Sequence, residues 1–259
     1  MKRDAPRNLP KEACSHCWKP AELCLCKAIK SVATRHRILI LQHPRETRSP
    51  LGTAPLASLY LQNSVHRIGL SWRSLSAALG ENADPNQWAV LYLGTKKKSQ
   101  NQKPQTQKTQ KQIRNAVPPG PDDLAAAPKP VHEEVPPFQV FSARGKLMSR
   151  QTVKGVVILD GNWEQSKTLW WRNPWLLRIA TIQLRPETTS MYGKMRRQPR
   201  KHCLSSLEAA AATLENLGED KKVTDGLKDL MSQLLAKASA AKITARSPIG
   251  FNSTSQPLA

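Results

Sequence analysis

The chain has 259 residues, and its 40 Lys and Arg against 19 Asp and Glu give a formal net charge of +21 at pH 7. An excess of cations this large predicts a polyanionic partner, and nucleic acid is the leading candidate. No stretch reaches the roughly 18 apolar residues of a membrane span, and the first residues lack a signal peptide's apolar core. We therefore expect a cytoplasmic protein with no membrane partner.

Four of the five cysteines lie close together near the start of the chain, at Cys14, Cys17, Cys24 and Cys26. A CxxC pair followed closely by a CxC pair can bring four thiolates around one tetrahedral zinc ion. Four protein ligands leave no open coordination position, so such an ion would be structural. The alternative is a set of free thiols, which a reducing compartment also permits.

The next segments alternate between strand-like and helix-like patterns. The apolar run at residues 37–41 predicts a first buried strand, and a helix should run from Thr53 to about Asn63. Residues 66–70 and 89–94 are the next predicted strands. Strands that alternate with helices predict an α/β fold with a mostly parallel sheet.

Residues 96–137 interrupt this pattern. The first half is rich in Lys and Gln and the second half in Pro and Ala, with too few apolar residues to offset the entropy of ordering. We predict a disordered insertion between two core strands. A solubilising spacer and an RNA-tethering arm are both consistent with this composition.

Asp160 follows an apolar run, residues 155–159, which lacks polar alternation and so predicts a strand covered on both faces. Asn162 and Gln165 have the spacing of a capping box, and Pro174 marks the end of the helix that would follow. Ligands of open α/β sheets bind at the carboxyl ends of the strands, which is where Asp160 would lie. The alternative is that Asp160 only stabilises the turn.

A further strand is predicted at residues 179–184, followed by a basic loop at 195–203. Ser205 and Glu208 form a second capping box, ahead of an alanine-rich helix that Gly218 should end. A helix N-terminus offers unpaired N–H groups that suit a carboxylate or phosphate, although an ordinary cap beside a solvated loop has the same pattern. Residues 223–238 predict a last helix, and residues 239–259 a loose tail.

Several of these motifs, in this order, resemble the DTW-domain family of tRNA-uridine aminocarboxypropyltransferases. The resemblance covers roughly residues 12 to 218 and rests on the cysteine cluster and on residues 42–46, 159–163, 172–176, 196–199 and 204–209. The family motif is Asp-x-Thr-Trp, whereas this chain has Asn162 at the threonine position. Asn keeps an oxygen that can cap the helix, so we expect the turn to be preserved.

The resemblance implies a SPOUT-like architecture, in which the chain threads a trefoil knot that forms the S-adenosylmethionine pocket. It also implies transfer of the 3-amino-3-carboxypropyl group of that donor to N3 of a uridine in tRNA, which forms acp3U. The catalytic domain would then span residues 35–238, after an N-terminal zinc-knuckle segment at residues 1–34. No GxGxxG motif follows a predicted strand, which argues against a conventional dinucleotide site.

On this view Asp160 is the catalytic residue, either as a base activated by desolvation or in an orienting role. The donor would contact a set of residues at three sheet corners: Leu93, Gly94, Asp160, Gly161, Trp163, Leu204, Ser205 and Ser206. The tRNA phosphates would contact the basic loop at Arg196, Arg197, Arg200 and Lys201. A flipped base could stack on Trp163 or Trp171, for which core packing is the alternative.

Two other functions fit the same sequence. One is a non-catalytic, zinc-containing RNA-binding protein, which the charge and the cysteine cluster would explain. The other is an RNA methyltransferase that uses the same donor.

Overall fold

The computed structural model describes residues 2–6, 10–93, 136–186, 188–193, 195–196 and 203–244. The chain divides into two units, residues 1–95 with 137–259 and residues 96–136, and every element below belongs to the first unit. The predicted insertion at residues 96–137 lies almost wholly outside the described residues, as does the tail from residue 245 onward. The predicted division into three segments therefore stays a prediction.

Within the described residues, eight strands form one sheet in the order β1-β3-β2-β7-β4-β8-β5-β6. In chain order they are β1 (Lys2–Arg3), β2 (Arg37–Gln42), β3 (Ser64–Ile68), β4 (Trp88–Leu93), β5 (Phe138–Phe141), β6 (Leu147–Met148), β7 (Gly155–Asp160) and β8 (Ala180–Leu184). All neighbours from β1 to β8 in that order are parallel, and β5 pairs antiparallel with β8 and β6. The predicted mixed α/β fold with a mostly parallel sheet is confirmed.

Five α-helices are described: α1 (Ala54–Tyr60), α2 (Leu75–Leu79), α3 (Trp163–Arg172), α4 (Ser206–Asn216) and α5 (Lys221–Ala240). Both predicted capping boxes are confirmed, at the starts of α3 and α4. Gly218, with φ of 84°, follows the end of α4, in the left-handed region that Gly adopts without steric cost. None of these helices is long and apolar enough to cross a membrane.

The sheet separates two apolar layers because side chains alternate along each strand. Ile38, Ile40, Val156 and Ile158 face the layer that contains α1, α4 and α5. Leu39, Leu41, Val90 and Val157 face the opposite layer, which contains α2 and part of α3. The central strands are therefore buried on both faces, which is why they lack polar alternation.

The strands separate at the carboxyl edge of the sheet beside Asp160. The pairing of β7 with β2 continues to Asp160 opposite Gln42, whereas its pairing with β4 covers only Trp88–Val90 among the described residues. Strand β4 instead stays paired with β8 as far as Leu93 opposite Leu184. Strands β4 and β7 thus separate toward the edge next to Asp160, and we call this break in the strand pairing the cleft.

Candidate functional site

Asp160 is the last residue of β7 and is buried. Its Oδ1 atom accepts a hydrogen bond from Ser206 Oγ at the start of α4, and its Oδ2 atom accepts one from Gln42 Nε2 at 2.8 Å. The two corners that the sequence singled out are therefore in direct contact. Because both carboxylate oxygens are held, the side chain has a fixed orientation at the edge of the cleft.

Gln42 links Asp160 to a buried histidine. The Nε2 atom of His66 lies 3.2 Å from Gln42 Oε1, and since an amide oxygen only accepts, the proton must lie on Nε2. Burial, with a smaller contribution from the charge of Arg3, lowers the pKa of His66 to about 3, so the ring is neutral at physiological pH. A directed series of hydrogen bonds thus runs from His66 through Gln42 to Asp160.

Trp18 packs against the ring of His66. The two rings are stacked with centroids 5.2 Å apart, and the Arg3 guanidinium carbon lies 5.1 Å from the Trp18 ring centroid. Trp18 directly follows Cys17 and has a φ of 60°, which costs a non-glycine residue roughly 1–2 kcal/mol. The turn that carries the cysteines therefore places an indole ring on the polar interior of the site.

The four cysteines form a compact cluster, with all sulfur atoms within 4.8 Å of one another. The Cys14–Cys26 and Cys17–Cys24 sulfur pairs are 3.6 and 3.7 Å apart. Four sulfur ligands at about 2.3 Å from a tetrahedral zinc ion would lie roughly 3.8 Å from one another. The geometry and the soft thiol donors therefore fit a zinc ion.

The thiols of this cluster also perturb one another. Burial would raise the pKa of Cys14, but backbone N–H groups of Cys17 and His16 and the neighbouring thiols lower it to about 6. Burial raises the pKa of Cys17. Without a cation in their midst, four thiols this close do not all ionise together, and this is the electrostatic reason for a metal to bind here.

Lys19 connects the cysteine cluster to the loop that precedes α1. Its side chain is only 2% exposed, and Nζ donates hydrogen bonds to the carbonyl oxygens of Pro50, at 2.8 Å, and Gly52, at 2.5 Å. Burial lowers the pKa of Lys19 to about 8, and the negative charges of Cys17 and Asp160 oppose this shift. The ammonium group therefore fixes the loop on which Thr53 stands.

Thr53, the residue before α1, places its side chain at the N-terminus of α4. Its hydroxyl oxygen accepts hydrogen bonds from the backbone N–H groups of Ser206, at 3.0 Å, and Leu207, at 3.4 Å. The N–H groups of Ser205 and Glu208 are taken by the capping box. The helix end predicted to receive a ligand carboxylate is thus already paired within the chain, and a ligand would have to replace Thr53 there.

A second group of charged and aromatic side chains lies beside Asp160. Glu46 Oε2 accepts a hydrogen bond from Arg196 Nη2 at 3.2 Å, and the Arg196 guanidinium carbon lies 5.4 Å from the Tyr192 ring centroid. Burial raises the pKa of Glu46, with Arg196 opposing the shift and Asp160 adding to it. Tyr192 donates a hydrogen bond to the Leu51 carbonyl oxygen at 2.7 Å, and burial raises its pKa to about 12. Arg196 is therefore partly built into the site.

The remaining predicted site residues lie on separate elements or outside the described residues. Leu93 ends β4 across the cleft from β7, Leu204 is half-buried ahead of the α4 cap, and Trp163 is 46% exposed at the start of α3. Gly161 lies so close to α3 that an added Cβ would be 2.7 Å from the Gln165 Cβ. Gly94, Arg197, Arg200 and Lys201 lie outside the described residues.

The sequence pattern indicates no role for several residues that the fold brings to the site. Gln42 and His66 could have been noticed, because each is a polar residue in or at the end of an apolar strand. Trp18, Lys19 and Tyr192 carry no such signal, since only the tertiary fold places them within reach of Asp160.

Comparison with known proteins gives a consistent assignment. The family model of the DTW domain matches residues 11–239. The tRNA-uridine aminocarboxypropyltransferase 2 of Macaca fascicularis is 24% identical over 216 residues, which are 83% of this chain and 59% of that protein. The protein of the same name in Drosophila melanogaster is 26% identical over 203 residues, 78% of this chain and 64% of that protein.

A shorter match is more similar. The tRNA-uridine aminocarboxypropyltransferase A of Arabidopsis thaliana is 38% identical over 60 residues, which are 22% of each chain. The matched region of this chain spans less than two thirds of the length of the Macaca and Drosophila relatives. No solved structure matches the chain.

Proposed function

This chain belongs to the DTW-domain family, and on that premise we propose that it transfers the 3-amino-3-carboxypropyl group of S-adenosylmethionine to N3 of a uridine in tRNA, forming acp3U. The names of its relatives and the cationic composition support this substrate pair. The observation that carries the proposal is the buried carboxylate of Asp160, held by Ser206 and Gln42 beside the cleft between β4 and β7.

The bound donor supplies a sulfonium-activated Cγ: the N3–Cγ bond forms, the S–Cγ bond breaks, methylthioadenosine leaves and N3 loses its proton. The protein must therefore hold N3 in line with Cγ, at about 3–3.5 Å, and receive a proton from a weakly acidic imide. Asp160 meets the second requirement at a fixed position, because each of its oxygens keeps a lone pair after accepting its hydrogen bond. We assign Asp160 to face the uridine N3–H.

The donor itself would lie along the cleft, against Leu93, Gly94, Gly161, Trp163, Leu204 and Ser205. Its carboxylate would take the place of the Thr53 hydroxyl at the Ser206 N–H group, where the helix N-terminus favours negative charge. The SPOUT-like knotted architecture belongs to the same proposal. The position of β7 between β2 and β4 is compatible with it.

A structural zinc ion at Cys14, Cys17, Cys24 and Cys26 completes the proposal. The ion would support the site indirectly, because the cysteine turn carries Trp18, which stacks on His66, and Lys19, which donates hydrogen bonds to the loop before α1. A reducing compartment such as the cytoplasm would keep these thiols available for the metal.

The test is to incubate the purified protein with S-adenosylmethionine and unmodified tRNA, and then to weigh the nucleosides after digestion. A uridine that gains the four-carbon amino acid unit supports the proposal. A gain of a methyl group would support the methyltransferase, and unchanged nucleosides with retained tRNA would leave a non-catalytic RNA-binding protein.

The matched pair of variants is Asp160→Asn and Asp84→Asn. Asp84 is an exposed carboxylate in the turn that precedes β4, and Asn can cap that turn in the same way. We expect Asp160→Asn to lower the rate by about 100-fold or more, the contribution typical of a positioned proton acceptor, and Asp84→Asn to leave it unchanged. Equal rates for the two variants would show that Asp160 takes no part in the reaction.

A further inference from the structure

We propose that the exposed side of α3 binds single-stranded nucleotides of the RNA next to the modified base, with Trp171 as a stacking platform and Lys167 as a phosphate contact. This surface, called the α3 face below, consists of Trp163, Lys167, Trp171 and Arg172 and rests on the proposed tRNA substrate. Its location, its side chains and its charge support the assignment in turn.

The α3 face begins at the candidate site. The helix starts three residues after Asp160, and the capping box of Asn162 and Gln165 fixes the direction in which it leaves the sheet. Trp163 is therefore close along the chain to the carboxylate, while Trp171 lies farther out. At 1.5 Å per helical residue the two tryptophans, eight positions apart, are separated by about 12 Å along the helix, or roughly three stacked nucleotides at about 3.4 Å each.

The spacing of the side chains places aromatic and cationic groups on one side of the helix. Trp163, Lys167 and Trp171 are four residues apart, so they follow one another along the same side. Trp163 is 46% and Trp171 is 73% exposed. Leu169, on the opposite side of the helix from Lys167 and Trp171, is fully buried, and Trp170 is partly buried against the core layer, so apolar packing does not need Trp171.

The charges around Trp171 are complementary to phosphate. Lys167 lies one turn before Trp171, and Arg172 directly follows it. The loop that carries exposed Arg73 is fixed beside the end of α3, because Ser71 Oγ donates a hydrogen bond to the Arg172 carbonyl oxygen at 2.9 Å. Arg178 is exposed in the turn that follows α3, whereas the only acidic residue of α3 itself is Glu164 in its first turn.

Aromatic faces interleaved with cations favour RNA over a protein partner. Bases stack on indole rings whatever their sequence, and neighbouring Lys and Arg follow the phosphates, which is how single strands are held without sequence readout. A protein docking surface would instead have an apolar centre depleted of charge. The α3 face has charged residues beside both tryptophans and therefore fits unpaired nucleotides.

The test compares tRNA binding and acp3U formation by the full chain and its Trp171→Ala, Trp171→Leu and Trp171→Phe variants. We expect Trp171→Ala and Trp171→Leu to weaken tRNA affinity about 10-fold, the scale of one lost base stack, and to raise KM for tRNA with little change in kcat. Trp171→Phe should restore most of the affinity, because a phenyl ring still stacks. Leu147→Ala is the control, since Leu147 is 67% exposed on β6, far along the sheet from β7.

A second variant isolates the charge. Lys167→Gln should reduce the slope of log affinity against log salt concentration by about 0.7, the value for one phosphate contact with a single strand, whereas Trp171→Ala should leave that slope unchanged. The proposal is overturned if Trp171→Ala binds tRNA as tightly as the wild type, or if Trp171→Leu binds as tightly as Trp171→Phe. If Trp171→Ala changes the oligomeric mass of the protein but leaves its tRNA affinity unchanged, the proposal is also overturned, in favour of a protein partner.

The outcome for this surface is separable from that for the enzymatic function. Wild-type protein that binds tRNA through Trp171 but makes no acp3U would support the α3 face and contradict the transferase. If the wild type makes acp3U and Trp171→Ala has the same KM for tRNA, the transferase is supported and the α3 face is contradicted.

Discussion

Gln42 determines how Asp160 is presented to the cleft. Its amide accepts from His66 and donates to Asp160, so it has one orientation and cannot turn without losing both hydrogen bonds. The neutral state of His66 is part of this arrangement, since a charged imidazole would be buried without a counter-ion. Three residues from three neighbouring strands therefore act as one unit.

Replacing Gln42 by Glu should disable this unit. The new side chain would lie next to that of Asp160 and, when ionised, could not donate to it, so the two acidic groups would have to share a proton. We expect the rate of acp3U formation to fall at least 10-fold at pH 7 and its pH profile to shift. The control is Gln62→Glu, because Gln62 is exposed and contacts Ser31. A uniform loss of rate at every pH would indicate only structural damage.

The buried His66 predicts a dependence of stability on pH. Its pKa is about 3 in the folded chain and near 6.5 when the chain unfolds, so the unfolded state binds more protons between these values. Stability from this group is complete above about pH 6.5 and is lost as the pH falls toward 3, by at most about 1.4 kcal/mol per pH unit.

Urea unfolding at several pH values measures this effect, with His66→Gln as the comparison, because Gln can still donate to Gln42 but does not titrate. The free energy of unfolding of the wild type should fall more steeply than that of the variant between pH 6.5 and pH 4. Parallel curves would show that His66 is not buried in the neutral state.

At the scale of elements, the turn between β7 and α3 is the tightest junction near the site. A Cβ at position 161 would lie 2.7 Å from the Gln165 Cβ, which is backbone-proximal and cannot move aside. We expect Gly161→Ala to lower the free energy of unfolding by about 1–3 kcal/mol, the range for overpacking, and to displace the start of α3.

The control at this turn is Asn162→Thr, which introduces the residue of the family motif. A threonine hydroxyl can accept the Gln165 N–H bond that Asn162 now accepts, so we expect a change in unfolding free energy below about 1 kcal/mol. Thermal or urea unfolding of both variants provides the measurement. A Gly161→Ala variant as stable as Asn162→Thr would contradict the close approach.

Elements with a strong local signal were predicted well, and elements defined by tertiary contacts were not. The apolar runs of β2 and β7 and the two capping boxes follow from side-chain pattern alone. Strand β3 runs from Ser64 to Ile68, two residues before the predicted bounds at both ends, because its pairing with β2 begins at Ser64 opposite Ile38. The pattern does not predict β1, because its described partner β3 is distant in sequence, nor the β5–β6 hairpin, because its strands are only four and two residues long.

The same division holds within the candidate site. Asp160 and Ser206 could be predicted, because each stands at the end of a regular element. The contacts of Trp18 with His66 and of Lys19 with the loop before α1 could not, because no periodicity relates the cysteine turn to strand β3. Local motifs therefore place Asp160 and Ser206 at the ends of their elements, and the tertiary fold brings Trp18 and Lys19 to them.

At the scale of the whole molecule, we expect that loss of the metal from the cysteine cluster also disrupts the candidate site. The cluster holds Trp18 and Lys19 in place, so removing its metal should loosen both contacts. We expect elemental analysis to find one zinc ion per chain, and Cys17→Ser to lose that ion, lower Tm and abolish acp3U formation. Cys203→Ser should keep the metal, because Cys203 lies outside the cluster. Full activity of metal-free Cys17→Ser would show that the candidate site does not depend on the metal.

The central claim is that the corner at Asp160 directs the aminocarboxypropyl group, and not the methyl group, of the donor to a tRNA uridine. Two preparations of S-adenosylmethionine, one labelled in the carboxyl group and one in the methyl group, test it most directly when each is incubated with the protein and unmodified tRNA. The account predicts that carboxyl label enters the tRNA with the wild type, but at least 100-fold more slowly with Asp160→Asn, and that methyl label stays on the released thionucleoside. Methyl label in the tRNA, or carboxyl transfer that is undiminished in Asp160→Asn, would contradict it.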